Sequence, residues 1–240
     1  MSHPRFVLGV ICCRGGSKGV PRKSLRSVAG RPLIAHAIQC ARECPALDAL
    51  IVSTDDSEIA RVAAEWGAQV PFPRPAELAQ DDSSKWDVFR HAVEEWERRG
   101  GRRVDVLVDL DTGVPMRTPA DVEGCVRELL ATGADVVATA YIPERNPYFN
   151  MVEDGPDGFV RVVKPSARPV TRRQDAPVVH ALSPAVWVVR REALWACEHW
   201  SRARMRVHII PRERALDIDT PFDLRIVEWL MEERPWQVSV

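Results

Sequence analysis

No apolar stretch in this sequence is long enough to cross a membrane. The longest unbroken run, Phe6 to Cys13 with Gly9 counted as apolar, is far below the ~18 residues that such a span needs. No basic segment leads into it and no cleavage site follows, so it does not read as a signal peptide. Charge of one sign is not in excess either: 33 Lys plus Arg stand against 34 Asp plus Glu, whereas a dedicated nucleic-acid binder carries a basic surplus. The six cysteines (Cys12, Cys13, Cys40, Cys44, Cys125 and Cys197) contain no CxxC pair, which removes the clustered ligands of a structural zinc site. They read as reduced core thiols of a cytoplasmic protein. Internal repeats and low-complexity tracts are missing too. What remains is a chain of 240 residues, 45% of them hydrophobic, enough for a sizeable core in one domain spanning 1–240.

Lysine is also scarce. It occurs only at Lys18, Lys23, Lys85 and Lys164, so 29 of the 33 basic residues are arginines. Two of the four lysines fall within one six-residue stretch. In a chain that otherwise uses Arg, a compact ammonium there points to a site where a point charge fits better than a planar fork.

Short apolar strands alternate with helical patterns along most of the chain. Strands are expected at Phe6–Cys12, Leu50–Ser53, Gln69–Phe72, Val104–Leu110, Asp135–Tyr141, Ala185–Arg190 and Val207–Pro211. Helices are expected at Pro32–Glu43, Ser57–Trp66 with Asp56 as cap, Ser84–Arg98, Thr118–Thr132, Glu192–His199 and Thr220–Glu233. This alternation implies right-handed βαβ units and a mainly parallel sheet with helices on both faces. Between about Ile142 and His180 the rhythm changes. Tyr148–Glu153 and Gly158–Val163 flank the turn Asp154-Gly155-Pro156-Asp157, and an Arg-rich irregular stretch follows. This segment reads as a small lobe inserted in the main sheet.

The strongest chemical signal follows the first strand: Arg14-Gly15-Gly16-Ser17-Lys18-Gly19-Val20-Pro21-Arg22-Lys23. Ligands of open α/β sheets sit beyond the carboxyl ends of the strands. Glycines let backbone N–H groups approach phosphate oxygens, and Arg14, Lys18, Arg22 and Lys23 supply charge for a triphosphate. The spacing fits neither GxxxxGK[ST] nor GxGxxG.

Arg14 through Ser24 resembles the R-x-x-S-K-G-x-P-x-K-N signature of the CMP-sialic acid synthetases and related cytidylyltransferases, with Ser24 in place of the final Asn. Four further segments match in order: Ile51–Asp55, Arg74-Pro75-Ala76-Glu77-Leu78, Pro115-Met116-Arg117-Thr118, and the Asp217-Ile218-Asp219-Thr220-Pro221-Phe222-Asp223-Leu224 ending. The resemblance implies a Rossmann-like three-layer α/β/α nucleotidyltransferase fold that dimerises through the inserted lobe. It implies attack of an acceptor oxygen on the α-phosphorus of a nucleoside triphosphate, most readily CTP, with release of pyrophosphate and with Mg²⁺ as cofactor. Nucleotide contacts then fall to Arg14, Gly15, Gly16, Ser17, Lys18, Gly19 and Lys23, together with Arg74, Ser83 and Lys85. Lys85 either touches nucleotide or opens its helix as a solvated charge. Asp217 and Asp219 flank Ile218, so alternation puts both carboxylates on one side, fit for Mg²⁺; helix capping is the competing role.

The acceptor side departs from the pattern. Asp111 stands where the family has a glutamine near the acceptor; on the nucleotide side, Ser83 and Lys85 stand where it tends to carry small residues. Asp111 can add a metal ligand; Asp109 reads as a buried strand-end acid with a backbone partner. Asn146–Asn150 and Arg172–Asp175 resemble the flagellin-glycosylation and nonulosonate branch. Lys164, Arg168, Arg172, Arg173, Gln174 and His180 are the candidate contacts for an anionic acceptor. Sialic acid itself is not favoured. A sugar phosphate or small phosphonate, with CTP or GTP, is the alternative acceptor, and a non-catalytic nucleotide-binding protein is the alternative class.

Overall fold

The computed structural model describes residues 5–233. In chain order the elements are β1 (Val7–Cys12), β2 (Ser27–Val28), β3 (Arg31–Pro32), α1 (Leu33–Arg42), β4 (Ala49–Ser53), α2 (Ser57–Glu65), α3 (Lys85–Arg98), β5 (Val106–Leu110), α4 (Pro119–Ala131), β6 (Val136–Tyr141), β7 (Val152–Asp154), β8 (Val160–Val162), β9 (Ala181–Arg190), α5 (Arg191–Ala196), β10 (Met205–Ile209) and α6 (Pro221–Glu233). Six strands form one sheet in the order β10-β6-β9-β5-β1-β4. β1 is parallel to β4 and β5, and β10 to β6. β9 runs antiparallel between β5 and β6, so the sheet is mixed but mainly parallel.

Side-chain alternation explains the layers. Val106, Val108 and Leu110 of β5 join a core with α1, α2 and α4, while Leu107 joins one with α3 and α5. Three helices start where capping residues dictate. Asp56 accepts the Glu58 and Ile59 N–H groups at 2.9 and 3.0 Å, Ser84 accepts that of Trp86 at 3.2 Å, and Thr118 and Asp121 form a reciprocal capping box. No helix among the described residues is long and apolar enough to cross a membrane.

Several expectations need correction. Gln69–Phe72 is not a strand; only isolated bridges, Ile51 to Gln69 and Thr54 to Pro73, reach β4. Pro71 and Pro73 remove the amide donors that a ladder there requires. The helix expected at Glu192–His199 ends at Ala196, because Cys197 is extended (φ −118°, ψ 136°). The last strand lies two residues earlier than expected. The segment 142–180 leaves the six-stranded sheet, and its hairpin pairs β7 with β8 antiparallel, closed by the Asp154–Asp157 turn.

Candidate active site

β1 and β5 end side by side, and the glycine loop leaves β1 at this edge. A cavity of about 300 Å³ opens here, lined by Arg14, Ser17, Lys18, Gly19 and Lys23 of the loop, by Asp111 and Thr112 beyond β5, and by Asp219. The first and last functional segments of the sequence therefore meet in one cleft.

The junction between them is close. The Lys23 ammonium donates to the Ile218 carbonyl at 2.8 Å and lies 3.4 Å from Asp219 Oδ1 and 3.8 Å from Asp217 Oδ1. Ile218 is fully buried in an apolar cluster with Val20 of the loop, Val28, Leu33 and Met116. That plug pins loop to acids and leaves the flanking carboxylates on the opposite side. The segment runs from a turn at Arg212–Ala215 into α6 rather than out of a strand. Capping of α6 falls to neither acid. Asp223 accepts the Thr220 N–H at 2.7 Å, and Thr220 Oγ1 accepts the Asp223 N–H at 3.2 Å.

Two glycines are required by proximity. A Cβ on Gly19 would lie 1.9 Å from the Asp219 carbonyl oxygen, and one on Gly113 would lie 2.2 Å from Asp217 Oδ1 and 3.0 Å from Lys23 Nζ. Asp217 Oδ1 is buried without a hydrogen-bond partner. Burial, with Asp111 and Asp219 adding like charge against Lys23, pushes its carboxyl up to about 6. Cys12 and Cys13 line the cavity floor, but burial pushes both thiols up, Cys13 to about 12. They are not thiolate nucleophiles at neutral pH.

The family model for cytidylyltransferases matches residues 8–177. The chain belongs to the cytidylyltransferase family. Post-translational flagellin modification protein B of Campylobacter coli is 33% identical over 97% of this chain and 98% of its own length. CMP-N,N'-diacetyllegionaminic acid synthase of Campylobacter jejuni is 33% identical over 94% of each chain. A solved CMP:2-keto-3-deoxy-manno-octonic acid synthetase complexed with CTP shares the fold, with a TM-score of 0.69 at 20% identity over 95% of this chain and 99% of that one.

In this cytidylyltransferase the other expected residues are distributed as follows. Arg14 and Lys18 both reach Asp81, Arg14 at 2.8 Å. The Lys18 hydrogen bond, with the charges of Lys18 and Arg14, lowers the Asp81 carboxyl. Gly15 N–H donates to Asp55 at 3.1 Å, and Gly16 is open to solvent. Arg22 turns away from the loop's cavity: its φ is 57°, and its guanidinium pairs with Asp56 at 2.8 Å and with Glu58. It therefore does not join the three other cations.

Arg74 and Ser83 do not line the loop cavity. Arg74 is buried and donates to Ser53 Oγ and Ser53 O at 3.1 and 2.5 Å. Ser83 Oγ donates to Glu77 O at 3.0 Å and accepts the Gln80 N–H at 2.9 Å. Lys85 opens α3, but not as a free solvated charge: it turns onto Asp109 Oδ2 at 2.6 Å and Asp111 Oδ2 at 3.2 Å. Asp109 is indeed buried, but its partner is this ammonium and not the backbone. Burial opposes the Lys85 charge, yet Asp109 and Asp111 outweigh it and raise its pKa. Asp111 has both oxygens engaged, Oδ1 by the Gly113 N–H at 2.9 Å and Oδ2 by Lys85.

The acceptor candidates of the 142–180 segment do not line the loop cavity of their own chain. Lys164 lies over the Tyr148 ring (4.9 Å), Arg172 pairs with Asp175 at 2.8 Å, and Arg173 donates to Pro143 O at 3.3 Å. Arg168 and Gln174 are exposed. His180 is exposed in a separate cavity with Tyr141 and Arg212.

Three residues escaped the sequence reading. Asp81 ties the loop cations; Gly113 makes room for Asp217. Buried Arg117 donates to the Asp111 carbonyl at 2.5 Å and to the Ala185 carbonyl at 2.9 Å, locking the end of β5 to β9. Arg117 lay in a matched segment, but only its carbonyl partners reveal its task.

Proposed function

We propose that this cytidylyltransferase uses CTP to activate an acidic, nonulosonate-type sugar as its CMP derivative, releasing pyrophosphate. The observation that carries this reading is the Lys23 ammonium held between the glycine loop and the Asp217–Asp219 pair. The acceptor class is supported by the legionaminate synthase among the relatives, which spans nearly the whole chain.

The loop residues Arg14, Ser17, Lys18 and Gly19 bind the polyphosphate tail, with Asp81 releasing Arg14 and Lys18 when phosphate competes for them. Lys23 stands where charge develops at the α-phosphorus as the acceptor oxygen forms its bond and the α–β anhydride breaks. Asp217 and Asp219 fit a divalent cation: one buried carboxylate oxygen lacks a partner, and clustered like charge is what a cation relieves. Mg²⁺ bound there supplies neutralisation of phosphate charge and polarisation of the acceptor oxygen. Among the described residues no three His, Cys, Asp or Glu side chains converge as a complete metal site, so Asp217 and Asp219 would hold the ion together with oxygen ligands from outside the chain. Asp111, with both oxygens engaged, is assigned to the acceptor side.

The 142–180 lobe is read as the contact with a second copy of the chain. It presents Ile142, Phe159, Val160 and Val178 at 60 to 76% exposure. Lys164, Arg168, Arg172, Arg173, Gln174 and His180 would then serve the partner's acceptor.

The test is pyrophosphate release with CTP, GTP, ATP and UTP against N,N'-diacetyllegionaminic acid, N-acetylneuraminic acid and a hexose 1-phosphate, with product mass. The expected result is CTP-dependent release and a CMP-sugar phosphodiester with a nonulosonic acid. A GTP-only response, or turnover confined to the sugar phosphate, would overturn it.

A further inference from the structure

Two positions where the sequence departs from its family pattern, Lys85 on the nucleotide side and Asp111 on the acceptor side, face each other. Lys85 Nζ lies 2.6 Å from Asp109 Oδ2 and 3.2 Å from Asp111 Oδ2. Asp109 is fully buried, whereas Lys85 keeps 41% of its side chain exposed. The ammonium thus caps a buried carboxylate and still reaches the surface. Asp111 lines the phosphate-loop cavity. Lys85 lines a second cavity of about 430 Å³, walled by Trp86, Phe89, Trp187 and Trp200. The pair is therefore the partition between the two spaces.

Charge makes this partition consequential. Asp109, Asp111, Asp217 and Asp219 all belong to this corner, and Lys23 is directed at the last two. The Arg117 guanidinium engages Asp111 only through its carbonyl oxygen. Without Lys85, buried Asp109 would take up a proton, and an acceptor carrying a carboxylate would approach the charge of Asp111, offset by Lys23 but no longer by Lys85, across poorly screening protein.

We propose that Lys85 is a positioning and specificity-determining residue of the transfer reaction: by neutralising Asp109 and Asp111 it makes the acid floor of the cleft tolerant of an anionic acceptor. The proposal rests on the acceptor being acidic, as read above. Lys85 acts through Asp111 rather than by touching the reacting atoms.

The experiment measures KM for N,N'-diacetyllegionaminic acid and for CTP in wild type, Lys85→Met, Asp111→Asn and the double variant. Lys85→Met is expected to raise the acceptor KM by about tenfold or more. The CTP KM should stay within about threefold, and adding Asp111→Asn should return the acceptor KM to within about threefold of wild type. An unchanged acceptor KM in Lys85→Met overturns the proposal. So does a double variant as impaired as Lys85→Met, which would mean that Lys85 contacts the acceptor directly. Should Lys85→Met fail to fold, because buried Asp109 is left unpaired, Asp111→Asn alone decides: an acceptor KM equal to or below wild type supports compensation, and a rise of about tenfold overturns it. Wild-type protein that releases no pyrophosphate with CTP and this acid would overturn the functional reading itself, and the proposal with it.

Discussion

Asp217→Asn is expected to reduce CTP-dependent pyrophosphate release by about a thousandfold while leaving the fold intact. The carboxylate is buried beside Asp111 and Asp219, its Oδ1 lacks a hydrogen-bond partner, and its proton affinity is pushed up to about 6. A group in this condition destabilises the empty site. Exchange for a neutral isostere removes like-charge repulsion and should leave the thermal midpoint unchanged or slightly higher. CTP binding should persist, because the loop cations remain. Loss of turnover without loss of stability is the signature of a charge kept for chemistry. Normal turnover in Asp217→Asn would show that the acid pair does not carry the metal.

Gly19→Ala should raise the KM for CTP by about a hundredfold, the scale at which a displacement near 1 Å damages a preorganised site. The Cβ would lie 1.9 Å from the Asp219 carbonyl oxygen and 3.1 Å from its carbonyl carbon. Those are backbone atoms, so no side chain can swing aside. Either the loop lifts, displacing Lys18 and Lys23 from the proposed polyphosphate site, or Asp219 moves off the proposed metal position. Gly133→Ala is the control: its nearest neighbour is the tip of Arg204 at 3.8 Å, outside this cleft. Steady-state kinetics on the two variants checks the contrast. Equal behaviour would mean that loop and acid pair are not mechanically joined.

The sequence disclosed features whose cause is local. Buried β1 reads as a continuous Val/Ile run, and Asp56 announces its helix because its side chain bonds the amides two and three residues on, whereas the capping roles of Ser84 and Thr118 emerge only from the structure. The glycine loop and the Asp217–Asp219 pair were visible as motifs, and they meet through the Val20–Ile218 plug, a contact between apolar residues that no spacing rule records. The antiparallel direction of β9 was hidden, since a strand buried on both faces looks the same in either direction. Arg22 looked like a fourth phosphate ligand until its backbone was seen in the left-handed region, aiming it at Asp56. Lys85 kept two readings open, because its partners lie 24 and 26 residues away on the end of β5.

Loop and acid pair are proposed to serve one nucleotide, and calorimetric titration of CTP with and without Mg²⁺ tests this most directly. In wild-type protein Mg²⁺ should strengthen CTP binding by about tenfold or more, and in Asp217→Asn that gain should disappear while metal-free binding is retained. An undiminished Mg²⁺ gain in the variant would contradict the shared cleft and return Asp217 to a structural role.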